Sequence, residues 1–190
     1  MADFSRSAKE NTVTDNPSTA NPAPGIRDVF ATVLEAVTGK VTSAVKGTGA
    51  AGAALVDAVA EVVKSAVRET VGMGSDLVLG SKAIVLGVVR GTGETGDAAL
   101  KLVSHAARTV IHHTADMGGN LAAATKGLVL GAIAGAKQMG VDSAKAASMA
   151  AQGALEGAQE AGSVTAERVL GALKEPIGGI RVAIPEPVKK

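Results

Sequence analysis

Leu100, Val103, Ala107, Val110 and Ile111 fall on one side of a helix, while Lys101, His105, Arg108 and His112 recur on the other at spacings of four, three and four. The segment 97–114 therefore predicts a helix with one wet face and one apolar face. Asp57, Glu61, Lys64 and Arg68 repeat the polar positions one copy earlier, and Lys145, Ser148, Gln152 and Glu156 repeat them one copy later. Polarity is kept from copy to copy but the sign of charge is not, which reads as a solvated face. Between these copies lie segments of a second kind. Leu77 to Val89 carries a single charge, Lys82, and Leu121 to Ala136 carries only Lys126 at the equivalent place. Helices apolar nearly all round must be covered on most sides, so these two belong at the centre.

The two kinds alternate on a fixed beat. Glycine stands at 52, 74, 96, 118, 140 and 162, a spacing of 22 residues without a miss. Seven residues before each stands an aliphatic residue (Val45, Val67, Val89, Ile111, Ile133, Leu155), and four before each stands Thr or Ala (Thr48, Thr70, Thr92, Thr114, Ala136, Ala158). The segment 81–91 (SKAIVLGVVRG) aligns with 125–135 (TKGLVLGAIAG), so the full unit is a pair of unlike 22-mers, 44 residues long. Six helical turns in 22 residues give about 3.67 residues per turn, near the natural 3.6, which keeps one face nearly in register from unit to unit. Strict alternation, the mark of a strand, is absent from the repeat region. The expected fold is all-α.

Gly52, Gly74, Gly96, Gly118, Gly140 and Gly162 are read as helix-turn glycines. All but Gly52 are followed within three residues by a side chain suited to an N-cap: Ser75 and Asp76, Asp97, Asn120, Asp142, Ser163 and Thr165. Six interior glycines in one unbroken rod would cost about 6 kcal/mol relative to alanine. Antiparallel helical hairpins of 44 residues, in a bundle or stacked array, are the expected arrangement, preceded by a helix from about Ile26 to Lys46. A second set, Gly87 with Gly91 and Gly127, Gly131 and Gly135 at four-residue spacing, makes flat strips on the apolar helices. Such strips let helix backbones approach closely in an Ala/Gly-rich core, and the same geometry serves hairpins in lipid.

Composition narrows the chemistry. The chain has 190 residues, a formal charge of +1, two aromatic residues (Phe4 and Phe30) and no Cys. Disulfides, Cys-based metal sites and Cys nucleophiles are excluded, and neither a general grip on phosphate nor a base-stacking platform is expected, so no nucleic-acid partner is assigned. Residues 1–25, polar with three Pro, read as a disordered N-terminal arm facing the cytosol; 26–176 read as the helical repeat domain; 177–190, with Pro185 and Pro187, read as an extended C-terminal tail. No run of about 18 apolar residues is free of charge, so no conventional membrane span is expected.

Few motifs invite a reaction. GTGAAG (47–52) and GTGETG (91–96) match a dinucleotide fingerprint, but that motif needs a strand before the turn, and helical sequence precedes both. His112 and Asp116 stand at i, i+4, yet His105 is two turns from His112 and His113 points about 100° aside, so the histidines read as solvated and not as a metal site. Lys82 and Lys126 read as snorkelling side chains. Neither a GxSxG elbow nor an isolated carboxylate pair is present. We expect no enzyme, no cofactor, no metal and no small-molecule substrate.

The 11/22-residue period, the Thr-containing turns, the scarcity of aromatics and units such as VKGTGAAGAALVDAVAEVVKSA (45–66) resemble the amphipathic-repeat proteins over roughly residues 40–176. That class includes exchangeable apolipoproteins, synucleins, late-embryogenesis-abundant proteins and phasin-like coats of storage granules. The resemblance implies a non-catalytic protein that covers a lipid or inclusion surface or protects under stress. The leading expectation is a self-associating cytoplasmic protein, a homo-oligomer, covering a membrane or hydrophobic inclusion surface through its apolar faces. The alternative is a soluble helical scaffold that binds a protein partner.

Overall fold

Asp76, Asn120 and Asp142 each stand in extended backbone and each accepts a hydrogen bond from an amide of the helix that follows: Val78 N at 2.8 Å, Ala123 N at 3.1 Å and Ala144 N at 2.7 Å. These side chains satisfy amides that a helix start leaves orphaned, and they set three helix boundaries. The computed structural model describes residues 26–48, 52–72, 76–94 and 96–183. Seven helices lie among them: α1 (Ile26–Thr48), α2 (Gly52–Gly72), α3 (Leu77–Thr92), α4 (Gly96–Asp116), α5 (Leu121–Met139), α6 (Ser143–Ala161) and α7 (Ser163–Lys174). No strand occurs among the described residues; one isolated bridge joins Ile177 and Ile180. The expected disordered arm, Gly74, Ser75 and the tail from residue 184 onward fall outside the described residues.

The glycines on the 22-residue beat act in more than one way. Gly118 and Gly140 take left-handed backbone (φ 67° and 68°), and the next amide, Gly119 N or Val141 N, bonds the carbonyl five residues back, Thr114 O at 2.8 Å or Ala136 O at 3.0 Å. This end motif closes α4 and α5. At α3 the left-handed cap is instead Gly93, and Gly96 opens α4. Asp97 therefore lies in the first turn of α4 and is not its cap; its carboxylate pairs with Lys145 Nζ at 2.7 Å, which holds its pKa below the usual carboxylate value. Likewise α7 has Gly162 at its N-cap with no side-chain cap bond, so neither Ser163 nor Thr165 performs that role.

Each helix packs against the next in sequence and against the next but one. Two rows result: α1, α3 and α5 in one, and α2, α4 and α6 in the other, with α7 covering α5 and α6. The core between the rows is aliphatic and small. Val33, Val37 and Val41 of α1 and Leu55, Val59, Val63 and Val67 of α2 are buried at four-residue spacing. On α4 the buried set includes Leu100, Val103, Ala107, Val110 and Ile111, the apolar face read from the sequence. Most of α3 and α5 is buried, because each is flanked within its own row and backed by the other row. Thr70, Thr92 and Thr114 of the recurring threonines are buried too, and Thr70 and Thr92 donate their hydroxyls to the carbonyls four residues back, Ala66 at 2.8 Å and Val88 at 3.0 Å.

Within each row glycine sets the spacing. A methyl group at Gly87 would lie 2.7 Å from Val37 Cβ, and one at Gly91 2.6 Å from Val41 Cβ, so α3 rests its backbone on the valines of α1. Gly127, Gly131 and Gly135 place α5 on Ser81, Val85 and Val89 of α3 in the same manner. The chain after α7 does not run straight out. Gly178 and Gly179, both left-handed, turn it so that Ile177 and Ile180 exchange backbone hydrogen bonds of 3.0 and 3.1 Å. Ile177 is buried and Gly178 sits near Leu130 and Ile133 of α5, so the first residues of the tail are part of the fold.

Candidate functional site: the cleft between α2 and α4

Two positions distinguish how α2 and α6 pack on α4. In α6, Gly153 and Gly157 lie against the carbonyl oxygens of Ser104 and Arg108 of α4, where any side chain would collide with backbone. Forty-four residues earlier, the corresponding positions in α4 are Thr109 and His113. Their side chains occupy the place where α6 has none, and α2 packs less extensively on α4 than α6 does. The result is an open cleft of about 280 Å³ whose walls include Asp57, Ala60, Glu61 and Lys64 of α2, His105, Arg108, Thr109, His112 and His113 of α4, and Glu160 of α6.

The polar faces of two successive copies thus converge on one depression. Arg108 spans from α4 to α6, its Nε 3.0 Å from Glu160 Oε2 and its Nη2 bonded to Glu160 Oε1. This two-pronged pairing raises the guanidinium pKa above its usual value. Lys64 Nζ lies 3.7 Å from Glu61 Oε1. The His112 and His113 rings meet edge to face at 5.4 Å, and both reach toward Asp116, His112 Nε2 at 3.7 Å and His113 Nδ1 at 3.5 Å. His112 Nδ1 is buried without a hydrogen-bond partner.

The three imidazoles are half-buried, so the fully solvated reading gives way to a partly dry one. Burial is the main cause that lowers the pKa of His105 below 6.5, with Arg108 adding to it and Asp57 and Glu160 opposing. Burial also lowers His113, assisted by His112 and Lys64 and opposed by Asp116. The cleft therefore favours neutral imidazole at these two positions at neutral pH. Among the described residues no group of three or more His, Asp or Glu side chains converges as a metal site would require.

Other residues singled out in the sequence lie elsewhere. Gly91, within the second GxGxxG match, is a packing residue inside α3, and Gly93 of the same motif caps that helix. Lys82 Nζ sits 5.6 Å above the Phe30 ring, and Lys126 Nζ is 3.1 Å from Glu175 Oε2 at the surface. Gly153 and Gly157 were not anticipated as packing residues because α6 is amphipathic. Their signal was the same 22-residue column that runs through Gly87 and Gly131, and through Gly91 and Gly135. Among the described residues no helix is long and apolar enough to cross a membrane. Comparison with protein-family models, with curated proteins and with solved structures finds no match to this chain.

Proposed function

We propose that the chain is a non-enzymatic structural protein, in which 22-residue units paired as 44-residue helical hairpins stack into a scaffold that binds a protein partner and further copies of itself. One observation carries this reading: the apolar faces are spent on each other. Among the described residues the only large hydrophobic side chains classed as exposed are Met117 at 38% and Val164 at 62%. Laying those faces on lipid would require the rows to come apart first. What the stack offers outward is polar relief, above all the cleft between α2 and α4 with its mixed charges and imidazoles, and such a surface suits another protein better than an acyl layer.

A second reading keeps the surface-coating role and is favoured by the composition of the core. It is built of Val, Ala, Leu and Ile without one fully buried aromatic among the described residues, so separating the rows would uncover a continuous aliphatic face. Circular dichroism with and without anionic liposomes distinguishes the two. The scaffold gives full helix content and a cooperative melt in buffer alone, unchanged by lipid. A large gain of helix on adding liposomes, with co-flotation, would replace it by the coating role.

A further inference from the structure

Among the described residues the stacking rule leaves a face of α1 without a packed helix. Positions 83, 87 and 91 of α3 (Ala, Gly, Gly) and 127, 131 and 135 of α5 (all Gly) turn toward the preceding helix of their row. The matching positions of α1, 44 residues before those of α3, are Gly39, Ser43 and Gly47. All three are exposed, and a methyl group at Gly39 or Gly47 would meet nothing within 4 Å. The opposite end of the row has no such gap. There Lys126 of α5 pairs with Glu175, and Gly178 covers Ile133, so α7 and the turn behind it close the stack.

Two further observations say what fits the open face. Beside the strip, half-buried Phe30, Leu34 and Thr38 with Arg90 of α3 border an open cleft of about 450 Å³, an apolar rim for a helix laid along α1. The charges on the face are also arranged in opposition: exposed Glu35 lies in the N-terminal half of α1 and exposed Lys46 in its last turn. A parallel helix of the same sequence would set like charges side by side. An antiparallel one sets each Glu35 against Lys46 of the other copy and opposes the two helix dipoles. The point midway between Glu35 and Lys46 falls between Gly39 and Ser43, so the charge match and the small-residue crossing share one two-fold axis.

The geometry points to an isologous dimer in which α1 of one copy packs antiparallel on α1 of a second copy, crossing at Gly39 and Ser43, with two reciprocal Glu35–Lys46 pairs at the rim. It names the surface for the self-association proposed above and rests on the folded stack. It does not depend on the choice of partner protein.

Sedimentation velocity and light scattering on the full chain over a wide concentration range test it. The wild type gives a reversible monomer–dimer equilibrium. Gly39→Leu and Gly47→Leu, which fill space left empty in the single chain, keep its melting temperature and weaken dimerisation by about tenfold or more. Glu35→Lys alone and Lys46→Glu alone also weaken it, and the two together restore it. A monomer at every concentration overturns the inference, as does association that the leucine variants leave unchanged, or a charge-swapped double variant weaker than either single one. Liposome binding strengthened by the same leucines would assign the face to lipid and overturn it as well. With a monomer, or with unresponsive leucine or charge-swapped variants, an unchanged, cooperative, lipid-independent melt leaves the folded scaffold and its protein partner standing without this dimer.

Discussion

Replacing Gly131 with alanine measures how tightly the rows are closed. The added methyl would lie 2.9 Å from the carbonyl oxygen of Lys82 and 2.9 Å from Val85 Cβ, where ordinary contact begins at 3.4 Å. One obstacle is backbone and the other the root of a branched side chain, so neither rotates away, and α5 must retreat from α3 by about 0.5 Å, a gap that already forfeits roughly a quarter of each dispersion contact. Overpacking of this kind costs about 2–3 kcal/mol, and alanine returns about 1 kcal/mol of helix propensity, leaving a net loss near 1–2 kcal/mol. Gly171, in α7, is the control: it is exposed and nothing stands within 4 Å of the position a methyl would take. Gly171→Ala should gain up to about 1 kcal/mol. Urea titrations followed by circular dichroism compare the two directly, and the expected separation is about 2–3 kcal/mol. A Gly131→Ala midpoint equal to or above that of Gly171→Ala would refute the claim that glycine sets the spacing between α3 and α5.

Three other outcomes are expected. Asp76→Ala, Asn120→Ala and Asp142→Ala each remove a cap bond, and urea midpoints should show a loss of about 1 kcal/mol apiece; Ser163→Ala, at a site without a cap bond, should show little. His105 and His113 have folded pKa values below 6.5, so the unfolded chain takes up protons first: their contribution is present above pH 6.5 and lost as pH falls through the folded values. Stability should accordingly drop between neutral and mildly acid pH, and the double variant His105→Gln/His113→Gln should flatten that slope; an unaltered slope would mean that other groups cause it. A double-mutant cycle on Arg108 and Glu160, each side chain 43% exposed, should give a coupling of only about 0.2–1 kcal/mol despite the two-pronged geometry.

The central helices were legible because their burial is nearly complete. When most sides of Leu77–Val89 and Leu121–Ala136 are covered, periodicity hardly matters and the scarcity of charge alone places them. The polar faces were legible as polar, and their shape was not. His105 and Arg108 lie half-buried because α2, 44 residues earlier, stands across from them and Glu160 reaches over from α6. Which helix faces which is a long-range property that no single helix encodes. The beat of glycines at 22 residues likewise marked where helices meet, but not which residue caps. Gly93 took the left-handed position at the end of α3, three residues before Gly96.

What unites these features is a single pair of columns in the repeat. Gly87, Thr109, Gly131 and Gly153 occupy one, and Gly91, His113, Gly135 and Gly157 the other. Where both members are glycine, a helix settles onto the backbone or branched side chains of the helix two places before it. At Thr109 and His113 the same register is kept but the surfaces are held apart, and the space between them becomes a cleft lined by whatever the solvated faces carry. At the start of the row, Ser43 and Gly47 occupy the columns with no helix before them among the described residues. Closure, cleft and open end thus follow from side-chain volume at two positions per unit. A stack built this way can acquire a binding feature by two substitutions in one copy without disturbing the aliphatic core. That economy fits the surface-borne role proposed above.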